Sequence, residues 1–211
     1  EDLELILHPM AEDAKEATGS MGDDTPLAVL SDKYRPLYHF FRQNFSQVTN
    51  PPIDSLRENK VMSLKTRFGN LGNILDFDTL TKENIYVLNS PILSNSQLNK
   101  FINFFGKNSV IIDCTFSKDE NLSFAIERIQ KESEIAVRKG VTQLILSDKN
   151  LSNDNLPIPM LLCVGAINTF LITKKLRGYV SINVQSGEAM DTHSFATLLG
   201  VGATTVNPYL A

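Results

Sequence analysis

The second half of the chain alternates short apolar runs with helical patterns, and this alternation restricts the possible folds more than any other feature. The runs interpreted as strands are Ser109 to Thr115, Gln143 to Ser147, Tyr179 to Val184 and Thr204 to Val206. The helices predicted after the first three of them are Glu120 to Lys139, Ile158 to Leu176 and Asp191 to Leu199. Strands separated by single helices predict an α/β fold with a mainly parallel sheet and right-handed βαβ crossovers.

The number of strands limits how far this pattern can close. A complete eight-stranded barrel needs about 250 residues, and only four strand candidates follow Ser109. We therefore expect an open sheet or an incomplete, divergent (β/α) barrel-like domain. The runs at Ser109 to Thr115 and Gln143 to Ser147 are almost continuously apolar, which predicts strands covered on both faces.

The first half has shorter and less regular elements. Three helices are predicted, at Glu1 to Leu7, Pro36 to Val48 and Asn95 to Phe105. Three short strands are predicted, at Leu27 to Leu30, Val61 to Thr66 and Ile85 to Leu88. The stretch from Pro9 to Asp24 is polar and contains two glycines, so we expect residues 1–25 to form an N-terminal helix and an interdomain linker. Residues 26–211 are then expected to form one α/β domain, truncated at its C-terminal end.

A rigid corner precedes the best helix start of this first half. Pro51 and Pro52 each fix φ near −65° and lack an N–H group, and Asn50 is pushed towards extended geometry because a proline follows it. Asp54 then occupies the position of a helix N-cap, ahead of a short helix from Ser55 to about Asn59. The corner predicts a stiff loop whose carbonyl groups remain available to contact something else.

Composition excludes several classes of protein. The net charge is −4, with 20 basic and 24 acidic side chains and no long basic run, so neither a nucleic-acid nor an anionic-membrane partner is indicated. The longest apolar run is shorter than the roughly 20 residues that span a bilayer.

The two cysteines, Cys114 and Cys163, lie in apolar runs and are interpreted as buried thiols. The alternative is a disulfide bond between them. The chain lacks an initial Met and a signal-peptide pattern, and we expect it to be a piece of a longer protein.

Polar residues follow the predicted parallel strands, where α/β proteins place their sites. These residues are Asp113 with Thr115, Ser147 with Asp148, Gln185 with Ser186, and Asn207. An enzyme would use Asp113 and Asp148 as acid and base, with the turn from Ser186 to Ala189 binding a phosphate. The alternative is that polar side chains merely end the strands, and no lysine clusters with these carboxylates to favour catalysis.

Other candidate motifs have simpler explanations. Gly200 and Gly202 follow a predicted helix and precede a strand, which is the reverse of a dinucleotide-binding fingerprint. The three histidines are scattered, and none lies at metal-ligand spacing from a cysteine. The residues alone therefore predict no catalytic, cofactor-binding or metal site.

Several motifs resemble one family. They are GSMGDDTPLAVLSD from Gly19, QVTNPPID from Gln47, LNSPIL from Leu88, LILSD from Leu144, PIPMLLCVGAIN from Pro157, SGEA from Ser186 and LLGVGATTVNPYLA from Leu198. In this order they resemble the central domain of the large subunit of glutamate synthase. The resemblance runs from about Gly19 to the last residue.

The resemblance implies a role without chemistry of its own. In such enzymes an N-terminal domain hydrolyses glutamine, and ammonia passes through an internal tunnel to 2-oxoglutarate. A later barrel domain, which binds FMN and an iron–sulfur cluster, reduces the imine. The central domain lies between them and binds no cofactor, so the isolated chain is expected to be inactive. The implied partners are these two domains of the same polypeptide and, for the parent, ferredoxin or a pyridine-nucleotide-dependent small subunit, in bacterial cytoplasm or plastid stroma.

The resemblance also suggests which residues serve the tunnel or contact a neighbouring domain. The tunnel candidates are Thr49, Asn50, Pro51 and Pro52. The interdomain candidates are Gly19, Ser20, Met21, Gly22, Asp23 and Asp24. The alternatives are a free-standing (β/α)-type metabolic enzyme or phosphate-ligand-binding domain, and an interaction scaffold without a channel.

Overall fold

The structure, a computed structural model, describes residues 3–15, 35–41, 53–69, 75 and 85–211. The N-terminal elements are a π-helical turn at Leu3–Leu7, helix α1 at His8–Asp13 and a 3₁₀ turn at Leu37–Phe40. They are followed by α2 (Ser55–Val61), β1 (Thr66–Phe68), β2 (Tyr86–Leu88) and α3 (Asn95–Phe105). The remaining elements are β3 (Ser109–Asp113), β4 (Thr115–Ser117), α4 (Leu122–Arg138), β5 (Gln143–Ser147), β6 (Asn155–Pro157), α5 (Met160–Thr173), β7 (Ser181–Ser186), α6 (Thr192–Val201) and β8 (Thr205–Pro208).

The predicted parallel sheet is confirmed. Its four strands lie in the order β3-β5-β7-β8, and every neighbouring pair is parallel. Helices α4, α5 and α6 connect successive strands of this sheet. All five residues of β5 are buried, whereas Ile111 of the edge strand β3 is 56% exposed. The prediction that β3 is covered on both faces was wrong, because Ile112 on one face is 3% exposed while its neighbour Ile111, on the other face, is open to solvent.

The sheet has one apolar face, which forms the main core. Register aligns Ile112, Leu146, Val184 and Val206 across the four strands. These four side chains are buried together with residues of α4, α5 and α6. On α4, Ala125 and Ile129 face this core and are fully buried.

The opposite face of the sheet is largely polar and hydrogen-bonded across strands. The Asn183 side-chain amide donates to Gln143 Oε1 at 3.1 Å and to the Leu144 carbonyl at 3.2 Å. Thr205 Oγ1 donates to Asn183 Oδ1 at 2.8 Å. Asn183 and Thr205 have no solvent exposure, so these bonds replace the water contacts that the groups lose on burial.

A smaller aromatic cluster lies beside the sheet. It joins β1 and β2, an antiparallel pair, to α3, and the rings of Phe68 and Phe101 meet edge to face at 4.9 Å. Helix α3 begins with a capping box between Ser94 and Gln97 and ends at Gly106, whose φ is 48°. The predicted start and stop of this helix are therefore confirmed.

Several predictions for the first half were wrong. The helical segment predicted at Glu1 to Leu7 continues to Asp13. Pro9 lies in the first turn of α1, where the N–H group that proline lacks would have no partner within the helix. The described part of the helix predicted at Pro36 to Val48 is instead a 3₁₀ turn at Leu37–Phe40, and Phe41 is extended with φ −98° and ψ 116°; residues 42–48 lie outside the described residues. The helix from Ser55 is confirmed, but it runs to Val61 and displaces the strand start predicted there to Thr66. The strand predicted at 27–30 lies outside the described residues.

An antiparallel pair, β4 with β6, was not predicted. It lies directly after β3 and before α5, and the side chain of Lys118 pairs with Asp154 at its end. Three-residue strands carry too little periodicity to be separated from loop sequence. The pair extends the chain beyond the carboxyl end of the parallel sheet.

The polar sheet face gives a stability prediction. Asn183→Leu keeps a side chain of similar size but removes the central amide, so Gln143 and Thr205 lose their partner. We expect the free energy of unfolding to fall by roughly 1–3 kcal/mol, measured by urea denaturation followed by circular dichroism. Asn155→Leu on the exposed β6 is the control, with a change within about 0.5 kcal/mol. Equal losses in the two variants would contradict a structural role for the Asn183 bonds.

Candidate functional site

The carboxyl edge of the parallel sheet brings together most of the polar strand-end residues. Ser147 Oγ donates to Gln185 Oε1 at 2.9 Å, and the Gln185 amide donates to Asn207 Oδ1 at 3.3 Å. The Asn207 amide in turn donates to the Leu93 carbonyl at 2.8 Å and to Asn95 Oδ1 at 3.1 Å. This row links three strands to the start of α3 through neutral side chains. It contains no group that could act as an acid or base near neutral pH.

Asp148, one residue beyond the end of β5, also meets Ser186, the last residue of β7. Ser186 Oγ donates to Asp148 Oδ2 at 2.6 Å, and the Gly187 N–H lies 3.2 Å from both carboxylate oxygens. Burial and a hydrogen bond with Asp148 raise the pKa of Tyr209, which keeps this phenol neutral. Asp148 is only 2% exposed, so its charge is held by these donors away from solvent.

Glu188 is a second buried carboxylate at the same edge. It accepts a hydrogen bond of 2.7 Å from the N–H group of Met160, the first residue of α5. Burial raises the pKa of Glu188, and the negative charge of Asp148 raises it further. The Met160 bond and the nearby Tyr38 hydroxyl act in the opposite direction. A carboxylate at a helix N-terminus is also favoured by the helix dipole.

Tyr38 and His193 complete this site, which we call the edge cluster (Tyr38, Asp148, Ser186, Glu188, His193 and Tyr209). Tyr38 is 4% exposed, and its carbonyl group lies 2.9 Å from His193 Nε2. The edge cluster thus joins the 3₁₀ turn to β5, β7 and the starts of α5 and α6. Nothing in the spacing of the sequence connects Tyr38 with Glu188, so sequence analysis missed this contact.

The two cysteines lie beside the edge cluster as free, buried thiols, as predicted. A hydrogen bond with Cys114 raises the pKa of Cys163, and burial and the nearby negative charges of Glu188 and Asp148 raise it as well. The neutral thiol is the stable form, and only the thiolate is a strong nucleophile. The geometry therefore gives neither cysteine a nucleophilic role.

Asp113 has its own partners elsewhere on the edge. Burial raises the pKa of Asp113, but hydrogen bonds from Asn150 and Thr115 outweigh it and hold the pKa below its ordinary value. Thr115 donates to one carboxylate oxygen through both its N–H and its hydroxyl group, and Asn150 donates to the other. Asp113 therefore stays charged and fully engaged.

These contacts remove the support for the enzyme alternative. Asp113 and Asp148 occupy separate hydrogen-bond networks, and both are satisfied by the protein itself. Two amides of the turn from Ser186 to Ala189 are already engaged, because the Gly187 N–H faces Asp148 and the Glu188 N–H donates to Ser186 Oγ at 3.1 Å. A buried carboxylate inside that turn also repels an anion.

Within the described residues, no group of three or more His, Cys, Asp or Glu side chains has a geometry that could hold a metal ion. A concave region of about 920 Å³ lies at the opposite edge of the sheet, against Thr142, Gln143 and Ser181. It is separate from the edge cluster. No helix in the described part of the chain is long and apolar enough to cross a membrane.

The residues suggested by the family resemblance lie outside the described residues. This applies to Thr49, Asn50, Pro51 and Pro52, and to Gly19, Ser20, Met21, Gly22, Asp23 and Asp24. The helix start after the corner is described and confirmed. Asp54 Oδ1 accepts hydrogen bonds from the N–H groups of Leu56 and Arg57 at 3.0 and 2.9 Å.

The raised pKa of Glu188 gives a prediction about pH. The folded chain binds a proton at Glu188 more tightly than the unfolded chain does. Ionisation of Glu188 therefore lowers the stability of the folded chain as the pH rises above 4.5, the ordinary pKa of a glutamate side chain. Glu188→Gln has no ionisable group at this position and therefore does not lose stability in this way. We expect its free energy of unfolding, relative to the unchanged chain, to increase between pH 4.5 and pH 7 in urea denaturation. A difference that stays constant with pH would contradict the burial of a charged Glu188.

Comparison with known proteins identifies the family. The family model described as glutamate synthase central domain matches residues 1–211. The chain is 58% identical over 214 residues to the glutamate synthase [NADPH] large chain of Azospirillum brasilense, covering 100% of this chain and 14% of the relative. It is 45% identical over 219 residues to the glutamate synthase [NADPH] large chain of Bacillus subtilis, again covering 100% of this chain and 14% of the relative.

A third relative is the chloroplastic ferredoxin-dependent glutamate synthase of Spinacia oleracea, which is 40% identical over 217 residues, with 100% of this chain and 13% of the relative covered. The chain thus spans about one seventh of the length of these relatives. The resemblance found in its motifs is confirmed over the whole chain: the protein belongs to the glutamate synthase central domain family.

Proposed function

We propose that this chain connects the glutaminase domain of a glutamate synthase to its FMN and iron–sulfur synthase domain and helps to form the ammonia tunnel between them. The observation that carries this proposal is the match of the whole chain to the central domain family. The parent polypeptide would be an oxidoreductase that makes glutamate from glutamine and 2-oxoglutarate. The chain itself would supply structure to the tunnel and no catalytic group.

The residues present do not fit the cofactors of such an enzyme. Iron–sulfur clusters are held mainly by cysteine thiolates, usually four, and this chain has two cysteines, both of which are buried. The Gly187 and Glu188 amides of the turn at Ser186 to Ala189 are engaged within the protein. FMN and the cluster would therefore bind to other parts of the parent polypeptide.

Transfer of ammonia imposes physical requirements that the Thr49 to Pro52 corner meets by its composition. Ammonia has to travel as the neutral molecule and away from bulk water, because protonation removes its nucleophilic lone pair. A wall of fixed backbone with small polar side chains can guide it without binding it tightly. Two consecutive prolines restrict the backbone of the corner, and the Asp54 cap fixes the helix that follows. In our proposal Thr49 and Asn50 line or gate the passage.

The loop from Gly19 to Asp24 would contact a neighbouring domain. The curated relatives are about seven times longer than this chain, so most of the parent surface that could cover this loop comes from other segments. Electrons would come from ferredoxin or from a pyridine-nucleotide-dependent small subunit, since relatives of both kinds match the chain. Bacterial cytoplasm and plastid stroma are the corresponding compartments.

The test is the coupling of the two half-reactions in the full-length enzyme with Asn50→Leu. Leucine removes the polar amide and enlarges the apolar surface of the passage, so we expect more glutamine to be hydrolysed than glutamate is formed from 2-oxoglutarate, with free ammonia as the difference. Glutamine loss, glutamate formation and ammonia release are measured together at steady state.

The matched control is Asn99→Leu, the same substitution on the exposed surface of α3, which should leave the ratio unchanged. A ratio that stays at one in Asn50→Leu, as in the control, would sink the assignment of the corner to the passage. The central domain would then serve only as a connector.

A further inference from the structure

A cleft of about 550 Å³ lies at the amino edge of the parallel sheet, opposite to the edge cluster. The C-terminal ends of α4 and α5 and the 3₁₀ turn at Arg177–Tyr179 form its walls. It adjoins the larger concave region at this edge, with which it shares Thr142 and Tyr179. We call it the amino-edge cleft (Val137, Arg138, Val141, Lys175, Leu176 and Tyr179). No residue of the edge cluster lines it, so it is a separate surface of the domain.

The wall after α5 is held in place by the buried side of Arg177. Arg177 Nε donates to Asn168 Oδ1 at 2.7 Å, and its two Nη atoms donate to the carbonyl groups of Val180 and Gly202 at 2.6 and 2.9 Å. Lys175 has a left-handed backbone with φ 59°, and its N–H group donates to a carbonyl group in the last turn of α5 at 2.9 Å. The cleft is therefore preformed, which lowers the entropic cost of binding a partner.

The lining combines apolar side chains with an exposed aromatic ring. Val137 is buried, and Val141 and Leu176 are half-buried. Tyr179 is 71% exposed. Tyrosine is enriched at protein interfaces, where its ring covers a large contact area and loses little conformational entropy. The cleft is thus suited to an apolar side chain that a partner inserts beside this ring.

The segments that form the cleft are basic, although the whole chain has a net charge of −4. Residues 135–142 and 174–181 contain no aspartate or glutamate. Their basic residues are Arg138, Lys139, Lys174, Lys175 and Arg177. A positive surface on an acidic chain favours a partner that presents carboxylates.

One carboxylate neutralises part of this charge. Glu134 pairs with Arg138 at 2.8 Å and lies 3.9 Å from Lys174. Lys175 has no ion pair with any other described residue. The helix dipole also favours cations in the last turn of a helix, but it requires neither a concave surface nor an exposed tyrosine beside them. The combination of the three features is what indicates a partner.

We propose that the amino-edge cleft receives an acidic segment from a part of the parent polypeptide outside these 211 residues. An apolar side chain of that segment would lie against Tyr179 and Leu176, and a carboxylate would pair with Lys175. The curated relatives are about seven times longer than this chain, so such a polypeptide has other segments that could cover the cleft. This inference rests on the connecting role proposed above and deepens it by naming a contact surface.

Zero-length cross-linking of the full-length enzyme with a carbodiimide tests the inference. The reagent joins a lysine amine to a carboxylate that already contacts it, and mass spectrometry of the peptides identifies both residues. We expect Lys175 to be joined to an aspartate or glutamate outside residues 1–211. Lys174 and Glu134, which lie 3.9 Å apart, should be joined to each other, which shows that the reagent reaches this surface.

Tyr179→Ala in the same enzyme tests the contribution of the aromatic ring. We expect the yield of the Lys175 cross-link to fall about tenfold, as for the loss of an aromatic anchor, whereas the cross-link between Lys174 and Glu134 keeps its yield. The matched control is Ile172→Ala, which removes a side chain that is 57% exposed at the end of the same helix but does not line the cleft. It should leave the Lys175 yield unchanged.

Three results would overturn the inference. The first is the absence of a Lys175 cross-link while Lys174 is joined to Glu134. The second is a Lys175 cross-link to a carboxylate within residues 1–211 or in a separate protein chain, because a different occupant would then cover the cleft. The third is an equal loss of yield in Tyr179→Ala and Ile172→Ala, which would remove the specific role of the cleft lining.

The cross-link and the ammonia passage can fail independently. If the Lys175 cross-link forms while Asn50→Leu stays coupled, the contact surface stands and the passage fails. If Asn50→Leu leaks ammonia while Lys175 forms no cross-link, the passage stands and the contact surface is overturned.

Discussion

The structure depends on the complete burial of β5 at the centre of the parallel sheet. A strand buried on both faces can satisfy its backbone only through its two neighbours, so β3 and β7 must lie beside it in register. This constraint brings Asp148 and Ser186 together at the carboxyl edge of the sheet, with Ser186 Oγ 2.6 Å from Asp148 Oδ2. The helix-covered side of the sheet supplies the apolar core, and the other side is held by cross-strand bonds through Asn183.

Sequence reasoning found what local pattern encodes. The four parallel strands, the helices between them and the cap at Asp54 follow from runs and motifs a few residues long. It failed where long-range contacts override local pattern. The aromatic stripe after Pro36 has helical spacing, yet Tyr38 is drawn into the core by residues about 150 positions later. No local signal shows that Glu188 caps a helix starting at Met160.

The same contacts engage the polar side chains at the edge where α/β proteins usually place their sites. In the usual arrangement, side chains at this edge point into an open site and await a ligand. Here Asp113, Asp148 and Glu188 are each engaged by donors within the described part of the protein. Their hydrogen bonds tie together segments that are distant in sequence. The edge thus fixes the relative positions of these segments, as the connecting role that we propose would require.

The most direct test of this account follows the nitrogen atom itself. Full-length enzyme is given glutamine labelled with ¹⁵N in its amide group, 2-oxoglutarate and an excess of unlabelled ammonium. If the central domain encloses the passage, glutamate newly made by the unchanged enzyme retains the label, and the label is diluted when Asn50 is replaced by leucine. Equal retention in the two enzymes would contradict the account, because the corner would then have no part in keeping ammonia from the solvent.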